Sequence, residues 1–162
     1  MMEKTTMRKW LLVMLLAPAL SWGGQQEAVE AYRTGDYAAA MTQFKALAAE
    51  GDPVAMYYLG IIYDRGFGVP ANAEEAAKWF EQGAVRGDSL SAYHFGKMAE
   101  AGKGRPKDLV AAYLWLTVSA NKAPNERDAA YTRRDIRKLE RSMTPPQIAQ
   151  AKELVASWKP QE

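Results

Sequence analysis

The sequence has no cysteine and one histidine, His94, among 162 residues. Without cysteine, neither a disulfide framework nor a thiolate metal site is available, so the core must come from packing alone. One imidazole, with no HExxH or CxxC motif, gives no pattern for a metal centre or a cofactor. No serine stands in a GxSxG context, so a nucleophile–base–orienter triad has no support either. Gly66-Phe67-Gly68 and Gly102-Lys103-Gly104 lack the GxxxxGK[ST] spacing of a phosphate loop. These absences favour a non-catalytic protein that carries no cofactor.

Long apolar runs are also missing. Trp10 to Leu20 is the longest, short of the roughly 20 residues that a membrane-spanning helix needs. It follows Lys4, Arg8 and Lys9 and precedes small residues at Ala17, Ala19, Ser21, Gly23 and Gly24. That order of basic, apolar and small is expected of a secretory signal peptide, here residues 1–23. A lipoprotein anchor would need a cysteine at the cut. The mature chain is therefore expected to be exported without stable membrane insertion, to the periplasm first and to the medium as the alternative.

An excess of one charge sign is lacking too. Residues 1–23 hold three of the 21 basic residues and one of the 19 acidic ones, leaving 18 of each. A nucleic-acid binder shows a basic excess on one face, so nucleic acid is not an expected partner.

What the chain does have is an internal repeat. The segment from Gly51 to Arg86 aligns without a gap on the segment from Gly87 to Lys122. Tyr57 falls on Tyr93, Gly60 on Gly96, Gly66 on Gly102, Gly68 on Gly104, Ala76 on Ala112, Trp79 on Trp115 and Ala84 on Ala120. Each unit reads as two helices around a Gly-rich turn. Asp52 and Asp88 suit N-caps, and Pro53 suits a first helical position. First helices are expected at Pro53–Arg65 and Ser89–Ala101, and second helices at Ala73–Arg86 and Asp108–Ala120. Gly60 and Gly96 sit inside first helices, where glycine costs about 1 kcal/mol against alanine. They mark points where the second helix presses close, with Ala76, Ala84, Ala112 and Ala120 facing the contact. Trp79 and Trp115 are expected to fill the space between units.

Residues 24–50 form half a unit, with Ala40, Phe44 and Ala48 on the positions of Ala76, Phe80 and Ala84. Units one and two are 51–86 and 87–122. Residues 123–162 leave the repeat and read as two capping helices. The first carries the stripe Ala129, Thr132, Ile136, Leu139 and Met143; the second, opened by Thr144-Pro145-Pro146, carries Ile148, Ala151, Val155 and Trp158.

The run Leu59-Gly60-Ile61-Ile62-Tyr63-Asp64-Arg65-Gly66-Phe67-Gly68-Val69, then Ala76-Ala77-Lys78-Trp79, resembles the Sel1-like repeat. The resemblance implies an all-α, short α-solenoid of tetratricopeptide-like helix pairs that acts as a protein-interaction adaptor. Unit two departs from it: Ala99 replaces the equivalent of Tyr63 and Arg105 that of Val69, making its turn polar and its core lighter.

Binding in such arrays uses the surface lined by first helices. Tyr58, Ile62 and Arg65, with His94, Lys97 and Met98 in unit two, are the candidate contacts for a protein or peptide partner. His94 otherwise reads as an exposed or half-exposed helix residue between Tyr93 and Phe95. The cluster Arg133, Arg134, Arg137, Lys138 and Arg141 is interleaved with Asp128, Asp135 and Glu140, and reads as a solvated helix face. Its alternative role is contact with an anionic partner. A second function class, an envelope enzyme or its accessory, would require a pocket with converging carboxylates or a perturbed His94.

Overall fold

The structure, a computed structural model, describes residues 17–161, with side chains from Gly23 onward. The export signal expected at 1–23 thus lies largely outside the described residues. Among those described, the chain forms eight helices and no strands: α1 Ala17–Thr34, α2 Tyr37–Ala49, α3 Pro53–Arg65, α4 Ala73–Val85, α5 Ser89–Ala101, α6 Leu109–Lys122, α7 Glu126–Glu140 and α8 Pro145–Ser157. None of them is long and apolar enough to cross a membrane.

The helix starts follow from capping chemistry. Asp52, Asn72, Asp88, Asp108 and Asn125 each accept a backbone N–H of the first turn that follows. Thr144 and Gln147 cap α8 reciprocally. α3 and α5 both end on a left-handed glycine, Gly66 and Gly102.

The helices stack as consecutive pairs around three apolar clusters. Phe44, Leu59 and Ile62 are central to the first; Phe80, Phe95, Met98 and Trp115 to the second; Leu116, Ile136, Leu139 and Ala151 to the third. The close approach expected at the two helix glycines is present. A methyl group on Gly60 would lie 2.5 Å from Cε1 of Phe80, and one on Gly96 would lie 3.0 Å from Cγ of Leu116. Phe80 and Leu116 occupy equivalent repeat positions, so a large side chain seats on each glycine, beyond the alanine contacts foreseen. Trp79 is half-buried against the first cluster, while Trp115 is buried in the second, edge-on to Phe95 and Trp158. Both tryptophans therefore lie between units.

The polar turn of unit two copies the first. The N–H of Phe67 donates to Ile62 O, and that of Lys103 to Met98 O, both at 3.0 Å. The N–H of Asn72 reaches Tyr63 O, and that of Asp108 reaches Ala99 O. Arg105, in place of Val69, lays its guanidinium 4.3 Å from the centroid of the Phe95 ring. Backbone geometry is conserved between the units because it depends on the glycines, not on the turn's side chains.

The C-terminal helices cover α6, which touches both α7 and α8. Beyond α8 the chain returns to the start of unit two. The N–H of Gln161 donates to Val85 O at 2.8 Å.

Candidate functional site

The six residues expected to contact a partner have three different fates. Ile62 is fully buried and Met98 is 5% exposed, so neither offers a contact surface of its own. They occupy one repeat position, and the reason is shared. A first helix packs one face on its own second helix and another against neighbouring elements, which leaves a narrow exposed strip. Tyr58 is half-buried, its ring stacked on Phe44 at 4.7 Å and edge-on to Tyr32 at 5.1 Å. Arg65 is exposed at the end of α3, beside Asp64. Lys97 is half-buried and paired with Glu100.

His94 is half-buried, its ring stacked on Phe80 at 4.9 Å. Burial holds its pKa below the usual histidine value, with Asp64 opposing the shift and Arg65 reinforcing it. It makes no side-chain hydrogen bond among the described residues, so no carboxylate orients the imidazole as an acid–base pair requires. Nor do those residues contain a group of three or more His, Cys, Asp or Glu side chains able to hold a metal.

The basic cluster on α7 is partly internally satisfied. Arg133 pairs with Glu126, Lys138 lies 3.7 Å from Asp135, and Arg134 rests over the Tyr131 ring. Asp135 differs from its expected place on the solvated face. It is 8% exposed and accepts a hydrogen bond from the Tyr93 hydroxyl at 3.0 Å. A carboxylate can turn inward here because that phenol supplies a donor.

The structure also joins residues that sequence separation hides. Six rings run in contact across the first helices and into the cap: Tyr32, Tyr58, Tyr57, His94, Tyr93 and Tyr131. Successive centroids lie 5.1, 5.3, 5.7, 5.7 and 6.1 Å apart. The track crosses α1, α3, α5 and α7 in turn. At its C-terminal end a groove of about 230 Å³ opens between α5 and α7, lined by Leu90, Tyr93, His94, Pro124, Asp128 and Tyr131 among others. Leu90 is 51% and Tyr131 52% exposed, large apolar surface left uncovered beside the track. A smaller depression of about 150 Å³ lies on the other side of His94, with Asp64, Lys97 and Lys103 at its edge. Lys103 pairs with Asp64 at 2.5 Å, which neutralises both. Leu90, Asp128 and Tyr131 were not evident as site residues from the repeat, because α7 lies outside it and Leu90 sits in the first turn of α5, ahead of the candidate positions.

Comparison with known proteins agrees with this architecture. A family model described as Sel1 repeat matches residues 53–88 and 89–123. No curated protein matches the sequence. Among solved structures, the chain is similar to c5321, described as a protective antigen of uropathogenic Escherichia coli strains displaying an SLR fold. The two are 25% identical with a TM-score of 0.75, over 85% of this chain and 29% of the other. It is also similar to a Sel1 repeat protein from Oxalobacter formigenes, 32% identical with a TM-score of 0.57, over 60% of this chain and 40% of the other. This chain thus spans well under two thirds of either protein's length.

Proposed function

Because this chain is a Sel1-like repeat protein, we propose that it is a non-catalytic interaction module of the cell envelope that holds a protein or peptide along its first-helix face. Sel1 repeats typically serve protein–protein interaction. The observation that carries the reading is the aromatic track ending at exposed Leu90 and Tyr131. Tyrosine is enriched at binding hot spots, because its ring gives large contact area at low entropy cost. The exposed ends of Leu90 and Tyr131 next to a preformed groove fit a short segment better than a broad flat partner. Export to the periplasm is part of the proposal and rests on the basic, apolar and small order of residues 1–23.

The enzyme alternative draws on the perturbed His94 alone. Burial is the main cause of that perturbation, and no orienting group accompanies it, so the binding reading is preferred.

The test is site-specific photo-crosslinking in cells. A crosslinker at Leu90 or Tyr131 should trap one discrete protein partner. The same group at Lys45 or Lys78, exposed on second helices, should trap none. Equal trapping from both faces, or none from Leu90 and Tyr131, would sink the proposal. Tyr58→Ala is a poor control, since it also removes the ring stacked on Phe44.

A further inference from the structure

The groove between α5 and α7 has a composition that selects its occupant. Its walls are the rings of Tyr93, His94 and Tyr131, its rim holds Leu90, and its one charged lining residue is Asp128. No lysine or arginine lines it. Asp128 is exposed and accepts from the Asn125 amide at 2.8 Å, but among the described residues it belongs to no ion pair. Arg127 and Arg134 share a neighbouring shallow depression with it, without reaching ion-pair distance. The Tyr93 hydroxyl is taken by Asp135, so Tyr93 presents its ring to the groove and not a free donor. His94 is held below its usual pKa by burial, so near neutral pH its ring adds no positive charge.

Aromatic faces with an unpaired carboxylate attract a cation, through the ring quadrupoles and through charge-assisted hydrogen bonds. A cation already rests on one of these rings, since the Arg134 guanidinium lies 5.1 Å from the Tyr131 centroid. Size narrows the choice further. A volume of about 230 Å³ is below the ~300–1,000 Å³ of small-molecule pockets, and suits one long side chain. The alkyl stem of a basic residue would cover Leu90 and Pro124, while its head reaches Asp128.

We propose that this groove is an anchor site for one lysine or arginine side chain of a bound protein or peptide, held between Tyr93, His94 and Tyr131 and paired with Asp128. The proposal rests on the interaction-module reading above and specifies its partner's chemistry.

The test is a titration of the full chain, followed by backbone amide shifts, with two acetylated, amidated tetrapeptides. One carries a single lysine among alanines, and the other carries norleucine in its place. The lysine peptide is expected to shift amides around Tyr93, His94 and Tyr131, and to bind about tenfold more tightly than the norleucine peptide. Asp128→Asn should remove that difference with the helical spectrum intact. Tyr131→Leu, which keeps the apolar contact, should weaken the lysine peptide about threefold. Equal binding of the two peptides, or lysine-peptide shifts confined to other surfaces, would overturn the site. Asp128-dependent binding of phosphatidylcholine vesicles in place of the peptide would overturn its assignment to a protein side chain. The two readings fail differently. A crosslinked partner retained in Asp128→Asn but trapped only from the first-helix face leaves the interaction module standing and removes the cation site. A partner trapped from neither Leu90 nor Tyr131 removes both.

Discussion

A methyl group added at Gly104 would meet the carbonyl oxygen of Ala73, and one at Gly68 would come 2.9 Å from Cβ of Tyr37. Ala73 and Tyr37 are the first residues of α4 and α2, one repeat apart, as are the two glycines. The second glycine of each turn therefore combines a positive φ with contact to the preceding second helix. Gly35 also has a positive φ but open space around it. Gly35→Ala should then cost about 1 kcal/mol in urea unfolding, from backbone strain alone. Gly104→Ala should cost at least twice as much, because backbone atoms cannot yield as a side chain can. Similar losses would show that the contact has no energetic weight. His94 gives a pH signature. Its folded pKa lies below the ordinary value of 6.5, so the unfolded state binds more protons in the window between the two. Stability is complete above about pH 6.5 and falls as pH drops through that window toward the folded pKa. His94→Gln should flatten this slope between pH 7.5 and 5 in urea titrations; an unchanged slope would assign the effect elsewhere. At this scale the sequence made the tight glycines legible, since a helix interior tolerates glycine poorly. It did not separate buried Ile62 and Met98 from exposed Arg65, because which flank of a first helix is covered depends on the neighbouring pair.

Among the elements, α7 shows both outcomes. Its apolar stripe was readable from helical spacing, and Ala129, Thr132, Ile136 and Leu139 are buried. Asp135 was not readable as buried, because its inward turn requires a phenol from α5, more than a repeat away in sequence. The hydrogen bond from Tyr93 to Asp135 fixes α7 on α5 and so shapes one wall of the groove. Burial, with the hydrogen bond to Asp135, raises the Tyr93 pKa, so the phenol remains a protonated donor across the neutral range. Tyr93→Phe should destabilise the protein by about 1–3 kcal/mol, because it leaves a buried carboxylate oxygen short of a donor. Amide exchange in α7 should accelerate more than in α3. Uniform acceleration throughout the chain would mean that the bond does not act locally on the cap.

Over the whole molecule, stacked repeats have mainly nearest-neighbour contacts, and such arrays can fray from their ends. This chain adds a longer-range tie. Trp158 packs edge-on to Trp115 at 6.1 Å, and the N–H of Gln161 reaches the carbonyl of Val85 at the end of α4. The tail thus links the cap to the joint between the two units. Truncation after Ser157 should lower stability by about 2–4 kcal/mol, summing an aromatic contact, apolar burial and a hydrogen bond. Thermal unfolding should also broaden as the units lose this coupling. A truncated chain that melts as sharply and at the same temperature would show that the tie is dispensable.

The sequence by itself determined the helix pairs, their caps, their turns and the two helix glycines at which neighbours come close. Capping residues, glycines and apolar spacing act within a few residues of chain, and the repeat offset states each of them twice. The tertiary structure alone decided which first-helix side chains remain accessible, how six rings from four helices join, and that the groove between α5 and α7 carries a single unpaired carboxylate. Those features depend on the angle and distance at which helices meet across units and against a non-repeating cap. No local pattern encodes that geometry, because it is settled by the joint packing of all three clusters.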